Sequence, residues 1–127
     1  MTKVLSIVSA GYRATVEEQD DTILWFSHMC RKSDLDVSVL LRGTAVNYAV
    51  SGQDATGLSF GHATVDHPPA LDDDLSALIA DGAEVRYVSD DLAALGVSES
   101  RLIDGVKPVK RSELGQLFAE YDQIWHW

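Results

Sequence analysis

The sequence is short of thiols, of positive charge and of long apolar runs, and each shortage excludes something. A single cysteine, Cys30, stands among 127 residues. That leaves no internal disulfide framework and no multi-cysteine zinc site. Ten Lys and Arg face 20 Asp and Glu, a formal charge of −10. So acidic a surface repels nucleic-acid phosphates and anionic membranes, and neither is an expected partner. The early apolar stretch from Val4 to Ala10 is too short and too polar for a signal peptide or a membrane span. The expected compartment is a reducing cytoplasm.

What is present is ordinary for a folded domain. Hydrophobic residues make up 46% and charged residues 24%, values near globular averages rather than those of a disordered chain. The length suits one domain spanning 1–127, burying about two thirds of its unfolded surface.

Along the chain, β-branched runs alternate with helical patterns. Val4 to Val8 reads as a buried strand that turns at Ser9, Ala10 and Gly11. Thr15 suits a helix cap, and Val16, Ile23, Phe26 and Cys30 fall on one face of a helix running to about Arg31. Asp36 to Leu41 is a second strand, and Thr44 to Val50 a short helix. Residues 51–69 form a long polar stretch without a clear period, of the kind that is usually functional or an interaction surface. A helix then carries Leu71, Leu75, Leu78 and Ile79, a third strand runs from Glu84 to Val88, and Ser89, Asp90 and Asp91 open a short helix. Val106 to Val109 is a strand whose Pro108 suggests an edge position. Ser112 suits the cap of a last helix, and Gln123 to Trp127 close the chain as a strand. This alternation predicts an α/β fold: a three-layer α/β/α sandwich around a mainly parallel sheet of about five strands.

Several motifs invite chemistry. Gly57, Ser59 and Gly61 match the G-x-S-x-G pattern of serine hydrolases. The pattern requires a strained turn between a buried strand and a helix. Here polar residues precede it and two prolines follow, so a glycine-rich loop is the expected reading. His62, Asp66 and His67 precede the acids Asp72, Asp73 and Asp74, but their spacing matches no known ligand set, and no metal is expected. Cys30 shares its helix face with apolar residues, which predicts a buried thiol with a raised pKa. It remains a weak candidate for catalysis. The turn after the first strand has one glycine, too few for a dinucleotide fingerprint. Its helix start, with Arg13 beside it, is a candidate anion site at the carboxyl ends of the strands. Gly11, Tyr12, Arg13, Gly43, Thr44, Asn47, Ser89 and Asp90 are the candidate lining residues.

Longer strings carry a resemblance. They are Lys3 to Val8, Val37 to Val46, Leu78 to Val85, Leu92 to Val97, Leu102 to Val106 and Tyr121 to Trp125. In this order and spacing the chain resembles the DsrE/DsrF-like sulfur-relay family, also called the YchN-like fold. The resemblance implies one α/β domain that assembles into trimers or hexamers, as a homo-oligomer or with related subunits. It also implies the handling of sulfur as persulfide. In sulfur-carrying members a cysteine follows a Gly-x-x-Val strand. The matching strand here begins at Gly82, and the position falls on Val88, with no cysteine anywhere beyond Cys30. The expected function is therefore that of a non-catalytic oligomeric subunit acting through partner binding, without a cofactor. The alternatives are a small anionic-ligand binding domain, or a sulfurtransferase acting through Cys30.

Overall fold

The computed structural model describes residues 2–11, 19–53, 59–64 and 70–127. Five parallel strands form its sheet: β1 (Lys3–Val8), β2 (Asp36–Leu41), β5 (Val85–Val88), β6 (Lys107–Val109) and β7 (Gln123–His126). Their order is β6-β5-β2-β1-β7. The chain thus builds outward from β1 and then returns to lay β7 on the free side of β1. The remaining strands, β3 (Ser59–Phe60) and β4 (Ala63–Thr64), form a separate antiparallel hairpin. The helices are α1 (Gln19–Lys32), α2 (Leu71–Ala80), α3 (Ser89–Ala94) and α4 (Leu114–Ala119). Short 3₁₀ turns span Gly43–Ala49, Glu99–Arg101 and Arg111–Glu113.

β1 and β2 lie inside the sheet and, apart from the buried Ser6 and Ser38, are largely apolar on both faces, as parallel strands covered by helices tend to be. Val4, Leu5, Val8, Val37, Val39, Leu40 and Leu41 have no exposed surface. One face packs Val8, Val39, Leu41, Val85 and Tyr87 against Leu24 of α1, Leu75 and Leu78 of α2, and Val46 and Tyr48 of the 3₁₀ turn. The other face is smaller. There Leu5, Ile7, Leu40, Val88 and Val109 meet Leu114 and Leu117 of α4, with Phe118 and Tyr121 at the rim. The α/β/α layering and the parallel sheet are as the sequence pattern predicts, and Pro108 does sit in an edge strand.

The orientation of α1 departs from the sequence reading. Among the described side chains of α1, Ile23, Leu24 and Ser27 are buried, whereas Phe26 is 42% exposed and Cys30 is half-buried. A serine holds the core position because its needs are met there. The Ser27 hydroxyl bonds the Ile23 carbonyl at 3.0 Å and lies 3.3 Å from Ser6 Oγ on β1. Phe26 is thereby turned toward β7, where its ring lies 5.9 Å from Trp125 and 6.4 Å from Trp127. The expected cap at Thr15 lies outside the described residues. Ser112 does not cap the last helix. The Glu113 carboxylate instead accepts the Lys110 N–H, at 3.1 Å.

The acids opening α2 have a specific use. Asp72 is buried, and its Oδ2 accepts the backbone N–H groups of Gly52 at 2.9 Å and Gln53 at 3.2 Å. It therefore ties the segment after the 3₁₀ turn to the start of α2.

Candidate functional site

In open α/β sheets, ligands sit beyond the carboxyl ends of the strands, near the point where strand order reverses. Here the order reverses at β1, and a pocket of about 350 Å³ lies at that end of the sheet. Its walls are Ser9, Arg42, Gly43, Asp91, Arg111 and His126. Each strand contributes. Ser9 follows β1, Arg42 and Gly43 follow β2, Asp91 lies in the helix that leaves β5, Arg111 follows β6, and His126 ends β7.

The polar groups of this rim are wired together. Ser9 Oγ lies 2.8 Å from His126 Nε2. Asp91 accepts the Gly43 N–H on Oδ2 at 2.8 Å, and its Oδ1 is ion-paired with the Arg111 guanidinium. Asp90 Oδ1 accepts the Arg111 backbone N–H at 2.9 Å. That bond is the chief reason the Asp90 carboxyl sits below its ordinary pKa. Gly43 has φ +52°, a left-handed conformation that suits glycine. A Cβ there would stand 3.0 Å from the Ser9 carbonyl oxygen. Gly11 is under a tighter restriction, because a Cβ would come within 2.5 Å of the Thr44 carbonyl oxygen. Its N–H donates to Thr44 Oγ1 at 2.8 Å, and the Tyr48 hydroxyl donates to the neighbouring Ala10 carbonyl at 2.8 Å. The β1 and β2 turns are thus locked against each other.

Of the candidate lining residues read from the sequence, Gly43 faces this pocket. Gly11 and Thr44 bond each other behind it. Ser89 is half-buried and turns away, its hydroxyl donating to the Val109 carbonyl at 3.3 Å. Asp90 holds the Arg111 backbone, and Asn47 is exposed on the 3₁₀ turn, its carbonyl accepting from Gln53. Tyr12 and Arg13 lie outside the described residues. The sequence reading did not place Ser9, Asp91, Arg111 or His126 in a site. Their signal was weak, because an acid in the first turn of a helix and a basic residue in a loop are common surface features.

The other candidates find ordinary places. Ser59 is exposed on the β3–β4 hairpin, with Gly61 in the connecting turn, and is not on a strand-to-helix elbow. His62 is exposed in the same turn, and Asp66 and His67 lie outside the described residues. Among the described residues no metal-ligating cluster of three or more His, Cys, Asp or Glu occurs. Nor is any helix among them long and apolar enough to cross a membrane. Cys30 lies near the carboxyl end of α1, which faces the amino end of β2 and not the pocket rim. Burial pushes its thiol pKa up. Val88, at the position of the expected carrier cysteine, is fully buried.

Comparison with known proteins adds the following. The model of the DsrE/DsrF-like family matches residues 3–126. The structure of the ychN protein from E. coli superposes with a TM-score of 0.76 at 20% identity, covering 100% of both chains. The protein of unknown function MTH1491 from Methanobacterium thermoautotrophicum superposes with a TM-score of 0.63 at 16% identity, covering 98% of this chain and 99% of that one. At such identities the likeness concerns the fold. No curated protein matches the sequence.

Proposed function

The chain belongs to the DsrE/DsrF-like family, and from that premise we propose that it is a subunit that binds rather than transfers, assembling through the β7 edge with copies of itself or with related chains. The observation that carries this reading is an aromatic surface along that edge. Phe26 is 42% exposed and Trp127 39%, and Phe26 touches both Trp125 and Trp127. Ile124, on the same strand, is 41% exposed. β7 pairs with β1 on one side and, among the described residues, has no strand on the other. Such an edge offers unpaired backbone groups to a further chain. Each aromatic side chain brings about 150–250 Å² when fully buried. A stable interface takes roughly 800 Å² per partner, so the contact must extend from these rings along the strand.

The thiol chemistry points the same way. Persulfide formation begins from a thiolate, and burial raises the pKa of the half-buried Cys30 thiol, which disfavours that form. Valine at position 88 offers no sulfur.

Light scattering across micromolar concentrations tests the assembly. The expected mass is a multiple of 13.9 kDa, trimeric or hexameric by family resemblance, and Phe26→Glu should shift it toward the single chain. A wild-type mass equal to one chain at all concentrations overturns the reading.

A further inference from the structure

The pocket at the carboxyl rim is unusual for so acidic a chain. Two of its ten Lys and Arg, Arg42 and Arg111, line it, and with His126 they face, among the described residues, a single carboxylate, Asp91. That carboxylate is already engaged on both oxygens, by the Gly43 N–H and by Arg111. Arg42 is different. It is half-buried at the rim, and among the described residues its guanidinium has no acid partner. An uncommitted guanidinium held in a pocket is a group waiting for a counter-charge, because it presents a planar fork of donors suited to oxyanions.

The Ser9–His126 pair supplies the second element. At 2.8 Å the two share one hydrogen between Oγ and Nε2. If His126 accepts, Ser9 spends its proton on the ring. If the ring carries its proton on Nε2, it donates to Ser9 Oγ, and the serine proton is free to point at a ligand. A bound anion, which only accepts, favours the second arrangement.

We propose that this pocket binds a small tetrahedral oxyanion, of the phosphate or sulfate type, between the Arg42 guanidinium and the Ser9–His126 pair. A tetrahedral ion offers more acceptor oxygens than a carboxylate, which suits donors arriving from several strand ends. The volume, about 350 Å³, is at the lower end of the range for small-molecule sites and leaves room for a short substituent on the ion. The locked turns around Gly11, Thr44 and Gly43 hold the donors in place without the ligand. His126 belongs to β7, but Ser9 and Arg42 follow β1 and β2, away from the open edge, so loss of sulfate binding in Arg42→Gln would leave the assembly reading untouched.

Titration of the intact protein with sulfate, followed by backbone and imidazole NMR signals, is the test. Saturable shifts are expected at Ser9, Arg42, Gly43 and His126, with His126 moving toward the Nε2–H tautomer. Arg42→Gln should weaken sulfate binding at least about tenfold, the scale of a charged hydrogen bond. Ser9→Ala should weaken it about threefold and abolish the tautomer change, with the rest of the amide spectrum unaltered in both variants. Glycerol 3-phosphate as a second probe separates an esterified ligand, which would bind more tightly than sulfate, from the bare ion, which would not. No saturable shift at this rim, unchanged affinity in Arg42→Gln, or acetate binding more tightly than sulfate each overturns the proposal.

Discussion

The two edges of the sheet, β6 and β7, are composed in opposite ways. β6 has three residues, Lys107, Pro108 and Val109. Pro108 cannot donate a ladder hydrogen bond, and Lys107 puts a charge at the open side, both recognised means of discouraging a further strand. Behind it Glu84 pairs with Arg86 and lies 3.5 Å from Lys107, and Arg86 donates to the Tyr121 hydroxyl at 3.1 Å. β7 carries Ile124 and Trp125 with no proline and no permanent charge, and Trp127 continues its line. Its aromatic face is anchored from below, because the Trp127 indole N–H donates to Ser6 Oγ at 2.9 Å and the buried Ser27 supports Ser6. One edge is defended against pairing and the other is left open and well supported. This difference is the physical basis for placing the assembly surface on β7.

The comparison breaks most readily if β7 is given the chemistry of β6. Ile124→Lys places a charge on the open edge. Loss of one well-packed apolar anchor from an interface costs about 2 kcal/mol or more, so association should weaken about thirtyfold. Sedimentation equilibrium of the variant beside wild type checks this, and an unchanged association constant would show that the edge is not the interface. A smaller effect is expected beneath the aromatic face. Ser6→Ala removes the acceptor of the Trp127 indole. Trp127 is 39% exposed and can turn its N–H to water, so the loss should be about 1 kcal/mol, the net worth of a typical hydrogen bond. Urea unfolding of the variant measures it. A cost of several kcal/mol would mean that the serine pair acts as a structural keystone of the sheet.

How far the sequence announced this arrangement depends on the interaction concerned. Strands such as Val4 to Val8 and Asp36 to Leu41 were legible because a parallel strand buried on both faces reads as a nearly continuous apolar run, interrupted here by the small residues Ser6 and Ser38. The face of α1 was misjudged because counting apolar spacings gives a serine no weight. Ser27 nevertheless occupies the core once Ser6 and the Ile23 carbonyl satisfy it, and this rotates Phe26 outward. Gly43 was placed near the functional rim because strand ends are where such folds bind. Ser9 and His126 were not paired, since 117 positions separate them and their meeting depends on β7 lying beside β1. Local patterns do not specify strand order. Asp91 was read as a helix-start acid like Asp90, and its bonds to Gly43 and Arg111 exist only because β2, β5 and β6 end together.

The smallest expected effect concerns the defended edge. Glu84 is part-exposed, and burial raises its pKa, but the nearby charges of Arg86 and Lys107 and their hydrogen bonds outweigh that, so its carboxyl sits below the ordinary value of 4.5. A carboxylate whose pKa is lower folded than unfolded adds stability above the unfolded value, and that stability is lost as pH falls through the folded one. Glu84→Gln should therefore destabilise the protein slightly at pH 7, by a few tenths of a kcal/mol for so exposed a pair. The difference should shrink between pH 7 and pH 3, as the wild-type carboxylate takes up its proton. Urea midpoints for both proteins at the two pH values decide the matter. A gap that is the same at pH 3 and pH 7 would mean that the Glu84 side chain contributes by packing and not by its charge. The β6 edge would then owe its protection to Pro108 and the Lys107 charge alone, with no support from the ion pairs behind it.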